Sequence, residues 1–134
     1  MENFYATWTP RVLSILRIAA GLLILQYGLA KIVGWPAVPH FSALAVFSLS
    51  WFAGLIELVL GLLIVPGLLT RLAAFILSGE MAFAYFLGHA PRGFLPILNG
   101  GGFAMLFCFV FLYVAAAGGG PWSLDALRER SAVR

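Results

Sequence analysis

The sequence predicts an all-α integral membrane protein, a four-transmembrane-helix bundle with both termini in the cytoplasm. Three observations carry that reading. Of 134 residues, 63% are hydrophobic and only 10% charged, against a usual ~25% charged in soluble domains. The mean hydropathy is +1.03. The apolar residues also fall into four runs divided by Pro, Gly and polar residues. A crossing takes about 20 apolar residues, so four use roughly 80 and leave about 50 for loops and tails. Residues 1–134 therefore read as a single membrane domain. The same composition excludes disorder, which needs low hydrophobicity and many charges.

The first span covers 13–33. It contains Arg17, Gln26 and Lys31 and no clean small-residue cleavage site follows it, so it reads as a retained span rather than a signal peptide. Residues 34–44 hold Pro36, Pro39 and His40 and form a loop at the membrane surface. The second span covers 47–69, with Pro66-Gly67 as its stop signal. Thr70 suits an N-cap for the third span, 71–88. A short polar loop, His89-Ala90-Pro91-Arg92-Gly93, leads to Pro96, a favoured first helical residue, and to the fourth span, 96–117. Gly118-Gly119-Gly120-Pro121 ends that span, and Ser123 caps a short amphipathic tail, 123–134.

Orientation follows from the cations. An even number of spans puts Arg11, Arg17, Arg71, Arg128, Arg130 and Arg134 on one side, six against Lys31 and Arg92 on the other. The positive-inside rule makes the six cytoplasmic. Trp8 and Trp122 then lie at the inner interface, Trp35 and Trp51 at the outer.

Ionisable groups inside a span are expensive and need a partner or a wet cavity. Glu57 and Glu80 stand about equally far from the turn near Leu68, one before it and one after. At ~1.5 Å rise per residue both carboxylates lie roughly 16–18 Å from the inner end, near mid-bilayer. Two acids at one depth call for a proton, or for a cation between them. Arg17, Gly21, Ile24, Gly28 and Lys31 share one stripe of the first helix, and Gly54, Glu57 and Gly61 one stripe of the second. Such small-residue stripes let helices approach closely. Glu57 then has two readings: an ion pair with Arg or Lys that fixes helix register, or a working carboxylate. Glu80 has the same two, with Tyr85, Tyr27 and Gln26 as candidates to share its cavity. Arg17 is open between them, and Arg71 at a helix start reads as a snorkelling anchor.

The remaining polar residues are less telling. His40 and His89 fall in outer loops, and His89, near Arg92 and Asn99, is the better candidate to line a cavity mouth. Two histidines and the single Cys108 make no haem, iron–sulfur or zinc ligand set, so no metal is expected. Cys108, between two phenylalanines, reads as a buried inert thiol. Phe103, Phe107, Phe109 and Phe111 read as core or lipid-facing residues, or as the wall of a site for a flat apolar ligand. No basic stripe suits nucleic acid. No nucleotide, zinc-protease or nucleophile-elbow motif occurs, and no catalytic constellation follows from spacing.

Taken together, Leu16-Arg17 with Gly21, Gly28-Leu29-Ala30-Lys31, Gly54 with Glu57 and Gly61, and Gly67-Leu68-Leu69-Thr70-Arg71 resemble the DoxX family of small bacterial membrane proteins. Ser78 to Phe86, His89-Ala90-Pro91-Arg92, Leu98-Asn99-Gly100-Gly101 and Pro121-Trp122-Ser123-Leu124-Asp125 extend the likeness through most of the chain. One departure stands out: Gly102 occupies the place after Asn-Gly-Gly where relatives often carry a glutamate. An acid there would have offered a partner to Lys31 or Arg92.

The resemblance implies a four-helix fold in the bacterial inner membrane and a link to quinone or redox chemistry. The family takes its name from a subunit of a thiosulfate:quinone oxidoreductase. Three functions follow as expectations. The first is a redox-linked component that binds a quinone between helices through Glu57, Glu80, Arg17, Lys31, Gln26, Tyr85, His89 and Asn99, with electrons from a redox partner protein. The second is a transporter or binding protein for a small apolar metabolite, lipid or proton. The third is a non-catalytic assembly subunit. Besides the lipid bilayer, the glycine stripes admit a homodimer as partner.

Overall fold

The computed structural model describes residues 1–133, which are helical and contain no strand. Arg134, counted above among the cytoplasmic cations and in the tail, lies outside the described residues.

Helix α1 spans Glu2–Ile32, starting well before the predicted span. Its 31 residues make a rod of about 46 Å, against ~30 Å of hydrocarbon. Residues 1–10 are all exposed, so the excess projects past the bundle. Pro10 lies inside this stretch, where solvent can take the carbonyl that its missing N–H leaves free. Helix α2 is Leu49–Ile64, opened by Ser48, whose hydroxyl accepts from the Trp51 N–H at 3.2 Å. The predicted span 47–69 is shortened because the chain turns through Pro66, Gly67 (φ +76°) and Leu69 (φ +50°). Helix α3 is Thr70–Phe83 and runs on as π-helix through Ala84–His89.

The fourth predicted span, 96–117, is interrupted. A single turn, α4 (Pro96–Asn99), stops at Gly100 (φ +72°), and α5 follows as Gly102–Ala117. Only glycine reaches such a φ without strain. Helix α6, Leu124–Ala132, is capped by Ser123, which accepts from the Ala126 N–H.

The long helices form two antiparallel hairpins, α1 with α2 and α3 with α5, joined by α2 on α3 and α1 on α5. Glycine sets the first contact. A Cβ at Gly28 would run into the backbone of Leu58, and one at Gly54 would sit 2.6 Å from Lys31 Cβ. Ala20, Ile24, Ile64, Leu77, Phe107, Phe111 and Val114 fill the core. The outer surface carries Leu62, Phe75, Phe83, Phe86, Phe94 and Ile97, each more than half exposed. That much bare apolar surface suits a lipid-solvated protein and not a soluble monomer. Glu2–Ile32 and Thr70–Arg92 are long and apolar enough to cross a bilayer, while α2 and α5 are shorter apolar helices.

Candidate functional site

Two charged clusters occupy opposite parts of the bundle. The first lies where α2 ends and α5 leaves. Arg17 is 0% exposed, yet it forms no ion pair with a carboxylate among the described residues. Its Nε donates to the Gly119 carbonyl at 3.3 Å, its Nη1 to those of Ile64 (3.2 Å) and Val65, and its Nη2 to that of Trp122. These oxygens belong to the last turn of α2 and the turn before α6, groups that a helix end leaves without intrahelical donors. A cation at a helix C-terminus also matches the macrodipole. Arg17 was a candidate partner for Glu57; instead it closes helix ends, about 21 Å along α1 from Lys31.

Arg71 repeats the pattern, donating to the carbonyls of Ala115, Ala116 and Ala117 at the end of α5. It remains exposed, as its anchor reading expects, and adds this cap. Thr70 is not the N-cap but the first residue of α3. The cap comes from Asp125, whose carboxylate accepts from the N–H of Leu69 at 2.9 Å and of Thr70 at 2.8 Å. Burial alone would raise the Asp125 carboxyl, but the Thr70 and Leu69 N–H groups and the Arg128 charge outweigh it and hold the group below the usual aspartate range. Sequence reasoning missed Asp125 because its partners lie 55 and 56 residues away.

The second cluster is Lys31, Glu57 and Glu80. Side chains on a helix lean toward its N-terminus, so Lys31, at the end of α1, reaches back along the bare backbone at Gly54 toward Glu57. Its Nζ stands 2.9 Å from Oε1 and 2.8 Å from Oε2, with side chains 12% and 3% exposed. Only the Oε1 contact has hydrogen-bond geometry. The Nζ also lies 5.4 Å from the Phe41 ring centre and 5.9 Å from that of Tyr27, within cation–π range. Glu80 projects from α3 into the field of Glu57 and Lys31. Both of its carboxylate oxygens are buried, and neither has a hydrogen-bond partner among the described residues.

An aromatic row adjoins this cluster. Tyr27 packs on Phe41 at 6.3 Å and on Phe103 at 4.9 Å, Phe103 stacks on Phe107 at 4.2 Å, and Phe107 meets Phe111 at 5.6 Å. The row therefore joins the loop after α1 to the middle of α5.

The other predicted residues go elsewhere. Gln26 is exposed; it stands about 200° around α1 from both Ile24 and Gly28, which are buried, so it is turned from Glu80. Tyr85, five residues past Glu80 and in the π-helix, donates to the Phe94 carbonyl at 3.1 Å. Asn99 donates to the Gly93 carbonyl at 2.8 Å and to Tyr85 Oη at 3.4 Å, and its Oδ1 accepts from the Gly101 N–H at 2.8 Å. His89 Nδ1 lies 3.1 Å from the Asn99 carbonyl and 3.1 Å from Arg92 Nη2. These three residues hold the 88–101 loop in shape. His40 is exposed beside Phe41. Cys108 is half-buried, its carbonyl accepting from Ser78 at 2.7 Å. Gly102 borders open space.

Two clefts open away from the Lys31 cluster. One, of about 870 Å³, lies between α6 and the start of α3, beside Arg71, Asp125 and Arg128. The other, of about 360 Å³, lies between Phe4, Tyr5, Trp8 and Tyr113. Among the described residues no three His, Cys, Asp or Glu side chains gather as a metal site.

Comparison with known proteins gives a consistent picture. A family model described as DoxX matches residues 12–90. A Haemophilus influenzae protein described as uncharacterized is 42% identical over 127 residues, covering 92% of this chain and 95% of its own. A Mycobacterium tuberculosis protein described as an uncharacterized membrane protein is 33% identical over 147 residues, covering 96% of this chain and 88% of its own. No solved structure matches.

Proposed function

The chain belongs to the DoxX family, and from that premise we propose that this membrane protein holds a flat apolar ligand of the quinone class between its helices, as a redox-linked component. One observation carries the reading. Glu80, a carboxyl group with buried oxygens and no hydrogen-bond partner among the described residues, lies in the field of the Lys31–Glu57 pair, which a row of aromatic rings adjoins. Small-molecule sites have this make-up, mostly apolar walls with a few placed polar groups.

The proposed setting is the bacterial inner membrane, with four spans and both termini cytoplasmic. The alternating direction of α1, α2, α3 and α5 supports four crossings. Helices α2 and α5, at 16 residues each, run about 24 Å, so local thinning of the bilayer would accompany them. The arginines at the Arg17 end support a cytoplasmic face there.

The residues fit a quinone in a defined way. Lys31 would donate to one carbonyl oxygen, Glu57 would hold the ammonium in place, and the packed Tyr27–Phe103 pair would wall one side of the ring. A bound quinone supplies electron-transfer chemistry that side chains lack, and its electrons would come from a redox partner protein. Arg17, Tyr85, His89 and Asn99 take a supporting part, keeping the helix ends and the 88–101 loop in place. A homodimer in the bilayer is compatible with this arrangement.

The test is direct. The protein is purified in mild detergent, and its organic extract is examined by ultraviolet–visible absorption and mass spectrometry. A quinone at near-stoichiometric amount is expected, and Phe103→Ala should lower it. An extract holding only ordinary lipid, with no saturable binding of a short-tailed benzoquinone, overturns the reading. The buried carboxylates also favour a second reading, proton-linked transport of a small apolar solute. Flux in proteoliposomes that depends on pH and on Glu80 would mark it.

A further inference from the structure

We propose that Glu80 serves its site as a neutral carboxylic acid that donates a hydrogen bond to an acceptor oxygen of the ligand. The site then selects uncharged acceptors and releases them when Glu80 ionises. The ligand's shape in this proposal rests on the quinone-class reading; the proton on Glu80 does not.

The argument begins with a charge count. Lys31 is the single cation of the cluster, and it already lies within 2.9 Å of both Glu57 oxygens. An ionised Glu80 would be a second anion beside one lysine. Like charges sharing a site do not ionise together, and a buried anion needs donors to replace water.

Among the described residues no neighbouring element places a donor on Glu80. On α1 the groups are Lys31, whose hydrogen bond goes to Glu57, and Tyr27, whose ring packs tilted against Phe103. On α2 the group is Glu57, itself an acceptor. On α5 the thiol of Cys108 lies 3.6 Å from Ser78 Oγ and makes no hydrogen bond to Glu80. Beyond α3 the group is Tyr85, whose hydroxyl donates to Phe94.

The neutral acid has the opposite need. It carries one O–H donor, and a buried donor without an acceptor is one hydrogen bond short. A ligand carbonyl supplies that acceptor. A cationic ligand would meet the unpaired ammonium face of Lys31, and an anionic one would meet Glu57. The pairing therefore fits a neutral carbonyl compound, with Lys31 and Glu80 as its two donors.

Infrared spectroscopy of the protein in lipid nanodiscs tests the proton without any ligand. A carbonyl stretch of a protonated carboxyl group should appear at neutral pH, persist in Glu57→Gln and vanish in Glu80→Gln. If Glu80→Gln does not fold, Glu80→Asp serves, because it shifts the band and its titration rather than deleting them. A decyl-tailed benzoquinone is then titrated in the same discs. Its affinity should fall about tenfold as the band disappears toward alkaline pH, the loss of roughly one good hydrogen bond. In Glu80→Gln affinity should be retained and independent of pH, since the amide donates in place of the acid. Absence of the band in the wild type at neutral pH overturns the proposal, as does affinity that stays level while the band titrates. A titrating band in a protein that binds no benzoquinone overturns the ligand half together with the quinone reading, and leaves the neutral acid standing.

Discussion

Arg17 and Glu80 are both ionisable groups enclosed by apolar helices, and they are treated in opposite ways. Arg17 delivers its donors to four carbonyls from two separate segments. Glu80 delivers nothing to the protein and receives nothing from it. The Arg17 cluster answers the needs of helix ends, groups that had to be satisfied by something. The Lys31 cluster ends with one carboxyl group over. A matched buried charge belongs to the architecture; an unmatched one has no partner there to explain it. Arg17 is fully buried and Glu80 half-buried, with its oxygens enclosed, so it is the partners rather than the enclosure of the polar atoms that separate the two cases.

The contrast can be broken by substitution. The largest effect is expected from Arg17→Met, which leaves the Val65 and Trp122 carbonyls without this donor, while those of Ile64 and Gly119 keep Gly67 N–H and Ser14 Oγ. An acceptor left unsatisfied on burial costs about 1–3 kcal/mol, read as a lowered thermal midpoint in detergent. Arg17→Lys should recover little, because an ammonium cannot span the fork of acceptors. A midpoint unchanged in Arg17→Met would remove the architectural role. Next comes Gly28→Val, where the added side chain meets the Leu58 backbone. Overpacking costs about 1–3 kcal/mol, while Gly79→Ala, facing open space, should show no such loss. If the two variants unfold alike, close approach of α1 and α2 is not what Gly28 provides.

A smaller effect is expected at Asp125. Removing a helix cap costs about 1 kcal/mol, so Asp125→Ala should lose that amount at neutral pH. The folded-state carboxyl lies below its ordinary value. Its contribution is therefore full above about pH 3.9, the unfolded value, and fades as pH falls through the folded one. Wild type and Asp125→Ala should converge in stability at strongly acid pH; a difference that persists there would mean the carboxylate charge is irrelevant. The smallest effect is expected for Glu80→Gln, within about 0.5 kcal/mol of wild type, since no protein contact is lost. A large destabilisation would place Glu80 in the architecture with Arg17 and dissolve the contrast.

Much of this was legible in the sequence, for reasons of reach. The Arg17 to Lys31 stripe and the Gly54, Glu57, Gly61 stripe depend only on 100° per residue, and all but Lys31, which is half-buried, are buried as periodicity requires. Lys31 and Glu57 belong to neighbouring helices of one hairpin, so a short-range argument brings them together. What escaped was long-range or irregular. Carbonyl acceptors for Arg17 carry no side-chain signature. Thr70 looked like a cap because local rules favour threonine, and a carboxylate from a distant helix took the place. Gln26 and Tyr85 are candidates on sequence to share the Glu80 cavity, but helical phase turns the first outward, and the second, within the π-helix, donates into the 88–101 loop.

The reach of Asp125 has a bearing on how the protein is made. The turn between α2 and α3 is held by groups translated 55 and 56 residues later, and Leu124 and Asp125 also donate to the carbonyls of Pro66 and Gly67. While those residues are still inside the ribosome, the first turn of α3 has no cap and Arg17 has only part of its acceptor set. Hairpin α1/α2 can form early, but its end at Arg17 stays open until α3 and α5 have been made and the chain folds back over it. Closure of that end is therefore a late event of biogenesis, and a ribosome stalled before residue 122 would leave a nascent chain with Arg17 still exposed to capture or degradation.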